Sequence, residues 1–272
     1  MCDLAVLRQR VITAVALGAG ILSCILFLPG HWLALIFALV TLLAAWEWAG
    51  LIGLPGNLFK TVYVIAVAVL LFAAWVYEEH ARTVFLIAVF WWVACVILVA
   101  VYESSWLHAG WLWGLLGLSG FVVLVPTWLG LVHLHGQGPG LLIFLMALVS
   151  VADSAAYFAG HRFGKTKLAP ELSPGKTREG LWGALLACLV FTIIGVYALG
   201  LDKAVWVYFV CLSLICVLLA AVGDLYESLL KRRAGAKDSG TILPGHGGVL
   251  DRIDGLTAAA PCFMFGVYWF HG

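Results

Sequence analysis

Between Asp224 and Asp254 the chain concentrates side chains suited to phosphate. Lys231, Arg232, Arg233, Lys237 and Arg252 are cations that can meet polyanionic phosphates, while Asp224, Asp251 and Asp254 can hold the metal that accompanies them. Carboxylate oxygens suit a hard ion such as Mg2+ bound jointly with substrate phosphates. Asp224, Glu227, Ser228 and Lys231 are spaced i, i+3, i+4, i+7 and so share one helix face, and Asp251 and Asp254 repeat the i, i+3 relation. Gly245, Gly247 and Gly248 around His246 would let backbone N–H groups approach an anion closely. His246 fits either a hydrogen bond to phosphate or one within its loop. The chemistry these residues suggest is phosphate transfer on a nucleotide, a lipid, or both.

A second polar stretch, GHRFGKTKLAPELSPGKTREG at residues 160–180, contains Gly-Lys-Thr at 164–166 and again at 175–177. Neither is a Walker A loop, because the positions that need the leading glycine hold Ala159 and Pro170. The stretch reads instead as a basic, turn-rich anion cradle. Ser173 and Thr177 offer hydroxyls, Lys176 a point charge, and Pro174 a residue able to open a helix.

The elements that must position these groups are membrane helices. The chain is 64% hydrophobic and 11% charged, where a soluble domain carries about 25% charged residues. Its polar interruptions are too short for an independent soluble core. Apolar runs long enough to cross the bilayer occur at about 11–29, 32–54, 61–77, 83–102, 110–132, 139–159, 181–199 and 205–225, with a shorter ninth at about 255–271 containing Pro261. The first follows Arg8 and Arg10 without a small-residue cleavage site and reads as a retained helix. The seven cysteines lie mostly in apolar runs and read as small buried hydrophobes, with neither disulfides nor a zinc site expected.

With the N-terminus inside, thirteen of the fifteen basic residues fall on cytoplasmic segments and only Arg82 and Lys203 fall outside. Both long polar loops, 160–180 and 226–254, then face the cytoplasm. Glu47, Asp153 and Asp224 lie within apolar runs, where an ionisable group is costly and therefore a functional candidate. Each sits near the inner end of its span, level with Asp251 and Asp254. The expected fold is an all-α polytopic membrane protein of about nine transmembrane helices with two basic cytoplasmic loops forming the active site. Residues 1–135 read as about five N-terminal spans, and 136–272 as a catalytic membrane domain of about four spans plus the two loops.

The residues also carry a resemblance. Ser228-x-Leu230-Lys231-Arg232, four residues, Lys237-Asp238-x-Gly240, then Leu243-Pro244-x-His246-Gly247-Gly248-x-x-Asp251-Arg252-x-Asp254 resembles the signature of bacterial phosphatidate cytidylyltransferases (CDP-diacylglycerol synthases). Asp153-Ser154, Ala156-Tyr157, Gly160, Phe163-Gly164-Lys165, Lys167-Leu168-Ala169-Pro170, Ser173-Pro174, Lys176-Thr177 and Gly180 are similar to that family's pattern too. His161 departs from it, standing where lysine or arginine is common. The first 135 residues match only as membrane helices, with Glu47-Trp48 a faint local likeness.

The resemblance implies that CTP and phosphatidic acid give CDP-diacylglycerol and pyrophosphate, in phospholipid biosynthesis at a bacterial inner membrane. It implies Mg2+, held chiefly by Asp224 and Asp251 with Asp254 and Asp153 secondary. Asp224, Asp251, Lys231 and Lys237 are the expected catalytic residues. Ser173, Lys176, Thr177, Arg232, His246, Gly247, Gly248 and Arg252 are expected at the substrates. Membrane lipids are the expected surroundings and nucleic acid is not an expected partner; a second cation and a homodimer are admitted but not required. Two other readings stand beside this one: a CTP-dependent transferase or kinase acting on another lipid or polyprenol, and a transporter. The transporter is disfavoured because the charge lies at one face and repeated halves are absent.

Overall fold

The structure, a computed structural model, describes residues 18–102, 110–242 and 247–269. Residues 11–17 of the first expected span, the end of the ninth, and His246 with its neighbours Leu243, Pro244 and Gly245 lie outside the described residues. The chain is an all-α polytopic membrane protein. Its helices are α1 (Gly18–Phe27), α2 (Gly30–Leu51), α3 (Gly56–Val76), α4 (Ala81–Ala100), α5 (Gly110–Gln137), α6 (Pro139–Phe163), α7 (Arg178–Ala198), α8 (Trp206–Arg233) and α9 (Leu250–Val267). Among the described residues, seven helices are long and apolar enough to cross a membrane: α2 to α8, with short 3-10 turns leading into α4 and α8.

Both polar loops are shorter than their polarity suggests, because the helices run on into them. α8 continues to Arg233, and α9 begins at Leu250, ahead of the expected 255, so Asp251 and Asp254 are helical. Between α6 and α7 an antiparallel hairpin forms from β1 (Lys167–Ala169) and β2 (Ser173–Thr177). Pro174 therefore sits in a strand and opens no helix. α7 starts at Arg178 instead, where the Thr177 hydroxyl accepts the Gly180 N–H at 3.1 Å and caps the helix.

The core is built around α9, which is buried among α2, α4, α5 and α8. Pro261 removes one backbone N–H from α9 and so orphans the carbonyl four residues earlier. The Thr127 hydroxyl of α5 lies 3.0 Å from that carbonyl, Thr257 O, and 2.6 Å from Val123 O of its own helix, so its single proton serves one of the two carbonyls at a time. Indole N–H groups complete the frame: Trp48 donates to Leu116 O and Trp128 to Ala34 O, each at 2.9 Å, locking α2 to α5. In an apolar medium such side-chain bonds replace water as partners for polar backbone atoms. The six described cysteines are free thiols; Cys95, Cys188, Cys216 and Cys262 are buried, Cys24 is half-buried and Cys211 is exposed.

Candidate active site

The hairpin leans against the ends of α6, α7 and α8 and walls a cavity of about 590 Å3. Asp153 from α6, Ser173, Lys176 and Thr177 from β2, and Asp224 from α8 line it. The Lys176 ammonium is ion-paired with the Asp224 carboxylate. Small residues allow the close approach of α6 and α7 beneath it; a Cβ on Gly180 would stand 2.8 Å from Ala156 O. The first Gly-Lys-Thr is not available as an anion nest, because Glu179 accepts the N–H groups of Lys165 and Thr166 at 3.1 Å.

Asp224 also belongs to a cluster of acids. One oxygen each from Asp224, Glu227 and Asp254 lies within 4.8 Å of the others. Glu227 is 2% exposed, and its Oε1 is buried without a hydrogen-bond partner. Lys231 donates to Glu227 Oε2 at 2.6 Å and to Asp251 Oδ1 at 2.9 Å. Asp224, Glu227, Asp251 and Asp254 thus gather around two ammonium groups, Lys176 and Lys231, so the carboxyl groups outnumber the amines two to one. A buried acid cluster in that state favours a cation. The donor set is all carboxylate oxygen and includes one orphaned oxygen, which fits a hard divalent ion.

Asp251 has a different environment. Its Oδ2 accepts the Gly248 N–H at 2.8 Å, the Ser239 N–H at 2.9 Å, and lies 2.9 Å from the Ser239 hydroxyl. Glu47, reaching over from α2, performs the matching task one step along the loop. Its carboxylate accepts the N–H groups of Val249 at 3.0 Å and Leu250 at 2.8 Å, and lies 3.0 Å from the same Ser239 hydroxyl. The two N–H groups stand at the start of α9, so a negative charge there also meets the positive end of the helix dipole. Gly248 is required at the junction: a Cβ would meet the Ser239 hydroxyl and stand 2.5 Å from Glu47 Oε2. Gly247 has φ +80°, in the left-handed region, beside Asp251.

A family model described as the cytidylyltransferase family matches residues 8–270. The chain belongs to the cytidylyltransferase family. Among its relatives, a phosphatidate cytidylyltransferase of Pseudomonas aeruginosa is 44% identical over 260 residues, covering 94% of this chain and 95% of the relative. Proteins of the same name from Haemophilus influenzae and Brucella suis are each 36% identical, over 95% and 96% of this chain and 98% and 93% of theirs. The likeness spans the N-terminal helices as well, which the sequence motifs alone do not distinguish from other membrane helices.

In this cytidylyltransferase the expected residues converge on one end of the bundle but divide into two groups. Asp153, Ser173, Lys176, Thr177 and Asp224 meet at the cavity, and Asp254 joins Asp224 through the acid cluster. Lys231 at the end of α8, Asp251 in the first turn of α9 and Gly248 just ahead of it form the second group. Asp251 is not among the three clustered acids; Glu227 stands there instead. The Arg232 Nε donates to Leu172 O at 3.2 Å, tying the hairpin to the end of α8. Lys237 and Arg252 are exposed on the same side. Two residues with strong geometry carry no assignment in the sequence reading, Glu227 and Ser239. The spacing places Glu227 on the Asp224 face, a signal that could have found it; Ser239 shows only in the fold.

Proposed function

We propose that this chain transfers the cytidylyl group of CTP to phosphatidate, giving CDP-diacylglycerol and pyrophosphate, at the hairpin end of the bundle. The observation that carries the reading is Asp224, which ties a cavity lined by Lys176 and Ser173 to the acid cluster of Glu227 and Asp254. An ionised phosphate oxygen of phosphatidate attacks the α-phosphorus of CTP. The bond from that phosphorus to the oxygen bridging the β-phosphorus breaks, and pyrophosphate leaves with the bonding electrons. A phosphate monoester is already ionised at neutral pH, so no strong general base is needed. The barrier lies in aligning two polyanions and screening the departing charge.

The residues divide that work. Lys176, with Ser173 beside it, faces the cavity where the phosphates meet, and its bond to Asp224 exchanges for a bond to phosphate when substrate arrives. Arg232, Lys237 and Arg252 supply further positive charge at this end of the bundle, and His246, outside the described residues, is assigned to phosphate by the sequence pattern alone. Thr177 acts by capping α7 and fixing the direction of β2. Lys231 and Asp251 set the acid cluster against the loop that begins α9. A Mg2+ ion held by Asp224, Glu227 and Asp254 would supply charge neutralisation to the triphosphate. The residues in these roles come from 136–272, the catalytic part, with Glu47 the contribution of the first 135. The 13:2 distribution of basic residues supports a bacterial inner-membrane protein with this end towards the cytoplasm.

The test is purified protein in detergent and mixed lipid, given Mg2+, CTP and either phosphatidate or a polyprenyl phosphate. Equimolar CDP-diacylglycerol and pyrophosphate from phosphatidate is the expected result. Asp224→Asn should lower turnover by about 10²-fold or more while the protein still inserts and extracts normally. Product from the polyprenyl acceptor alone would overturn the assignment of the lipid. Near-normal turnover in Asp224→Asn would overturn the assignment of the acid cluster.

A further inference from the structure

The hairpin has a second side. Where β2 faces the polar cavity, the hairpin's tip roofs an apolar groove of about 650 Å3 between α4 and α8. We propose that this groove seats one acyl chain of the lipid substrate during transfer, an inference that rests on the lipid acceptor assigned above.

Four features point the same way. The groove and the polar cavity share a wall, since Leu168, Leu181 and Ala221 line both. A molecule with a phosphate at Lys176 needs only to cross that low partition to place a chain in the groove. The direction is also right. Along α8 the groove runs from Leu225, adjacent to Asp224 in sequence, back to Ile215. Ten residues of helix at 1.5 Å each make a trough of about 15 Å, leading from the level of the candidate chemistry along an apolar flank whose far residues, Ile215 and Leu218, are exposed. The side chains change accordingly: Tyr102 and Glu171 line the groove beside the hairpin, whereas Val96 and Val99 of α4 and Ile215 and Leu218 of α8 give it apolar walls. The volume lies in the range of small-molecule pockets, about 300–1,000 Å3. Finally, the roof is fixed in place, because the Leu172 carbonyl at the hairpin tip accepts from Arg232 at the end of α8. One hairpin therefore presents cations to the headgroup on one side and an apolar ceiling to the chain on the other.

The experiment fills the far end of the groove and varies the length of the chain. Ile215→Trp and Leu218→Trp add bulk at positions that are 53% and 41% exposed and line only the groove. Initial rates are measured on the full chain with CTP and either dioleoyl phosphatidate or dihexanoyl phosphatidate, whose chains are too short to reach Ile215. The expected result is a rise in KM for the dioleoyl substrate of about tenfold, with KM for CTP and the dihexanoyl rate unchanged. An unchanged dioleoyl KM in both variants would overturn the proposal. A second measurement covers variants that fail to fold: the unmutated chain is irradiated with phosphatidate bearing a diazirine near the end of one acyl chain. Adducts on Val96, Ile215 or Leu218 that CTP-competent unlabelled phosphatidate displaces support the groove. Adducts confined to other helices, or undiminished by that competitor as for bulk lipid, overturn it. If the unmutated chain makes no product from either phosphatidate, the lipid acceptor itself is overturned, a result the variants cannot mimic.

Discussion

Replacing Glu47 should switch off the site from a distance, through the loop it holds. Its carboxylate is 4% exposed and accepts the backbone N–H groups of Val249 and Leu250 at 3.0 and 2.8 Å. Glu47→Ala leaves both N–H groups buried without acceptors, at about 1–3 kcal/mol each. The Ser239 hydroxyl is spared, because Asp251 Oδ2 stands 2.9 Å away as a second acceptor. The sum, about 2–6 kcal/mol, acts on one loop, because the apolar contacts of α9 with α5 and α8 do not pass through Glu47. A cost of that size raises the population of the open loop by about 10³-fold near the middle of the range, at about 1.4 kcal/mol per factor of ten. Glu47→Gln keeps one acceptor oxygen and orphans one N–H, so its effect should be about tenfold. Hydrogen exchange read by mass spectrometry over residues 239–250, beside turnover from CTP and phosphatidate, measures both consequences. Fast exchange there with unchanged protection in α5, and turnover falling in the order Glu47, Gln, Ala, is expected. An Ala variant that keeps parental protection and rate would refute the reasoning.

Three further predictions test separate contacts. Lys231→Met removes the ammonium that bridges Glu227 and Asp251; breaking a buried pair costs about 3–5 kcal/mol, so turnover should drop by about 10²-fold or more and the melting temperature in detergent should fall with it. Gly248→Ala forces a methyl against the Ser239 hydroxyl and the Glu47 carboxylate and should reproduce the exchange pattern of Glu47→Ala, which a peptide-level exchange map will show. Thr177→Val removes the cap of α7 at about 1 kcal/mol, so it should lower thermal stability while leaving KM for CTP within about twofold; Lys176→Met should do the reverse, raising KM with little change in melting temperature.

Much of this site is legible in the sequence because bilayers restrict what a chain can do. Ionisable residues in apolar runs are few, so Asp153 and Asp224 announce themselves, and the basic residues sort the loops. The i, i+3 spacing of Asp251 and Asp254 also survives, since α9 starts early enough to make it helical. Other features depend on which segments meet. The glycines near His246 read as a cradle for a foreign anion, yet the Gly248 N–H goes to Asp251, and the next two N–H groups go to Glu47. Local composition signals anion binding but not whose anion. Pro174 shows the same limit: its fixed φ suits a helix start and a strand equally, and pairing with β1 decides between them. Glu47 is conspicuous as a membrane acid, but its partners lie about 200 residues further on, beyond any periodicity.

The burial of α9 has a consequence for biogenesis. α9 carries Asp251, Arg252 and Asp254 in its first turns and takes most of its surroundings from α2, α4, α5 and α8 rather than lipid. All of those helices precede it on the chain, so a ribosome delivers α9 after its slot exists. Its charged entry is costly to an isolated segment at the translocon, and Glu47 waits in that slot to receive the N–H groups at its start. Insertion of α9 and assembly of the loop that Glu47 holds then become one event, so a chain whose early helices are misplaced should stay inert rather than half-active in the membrane.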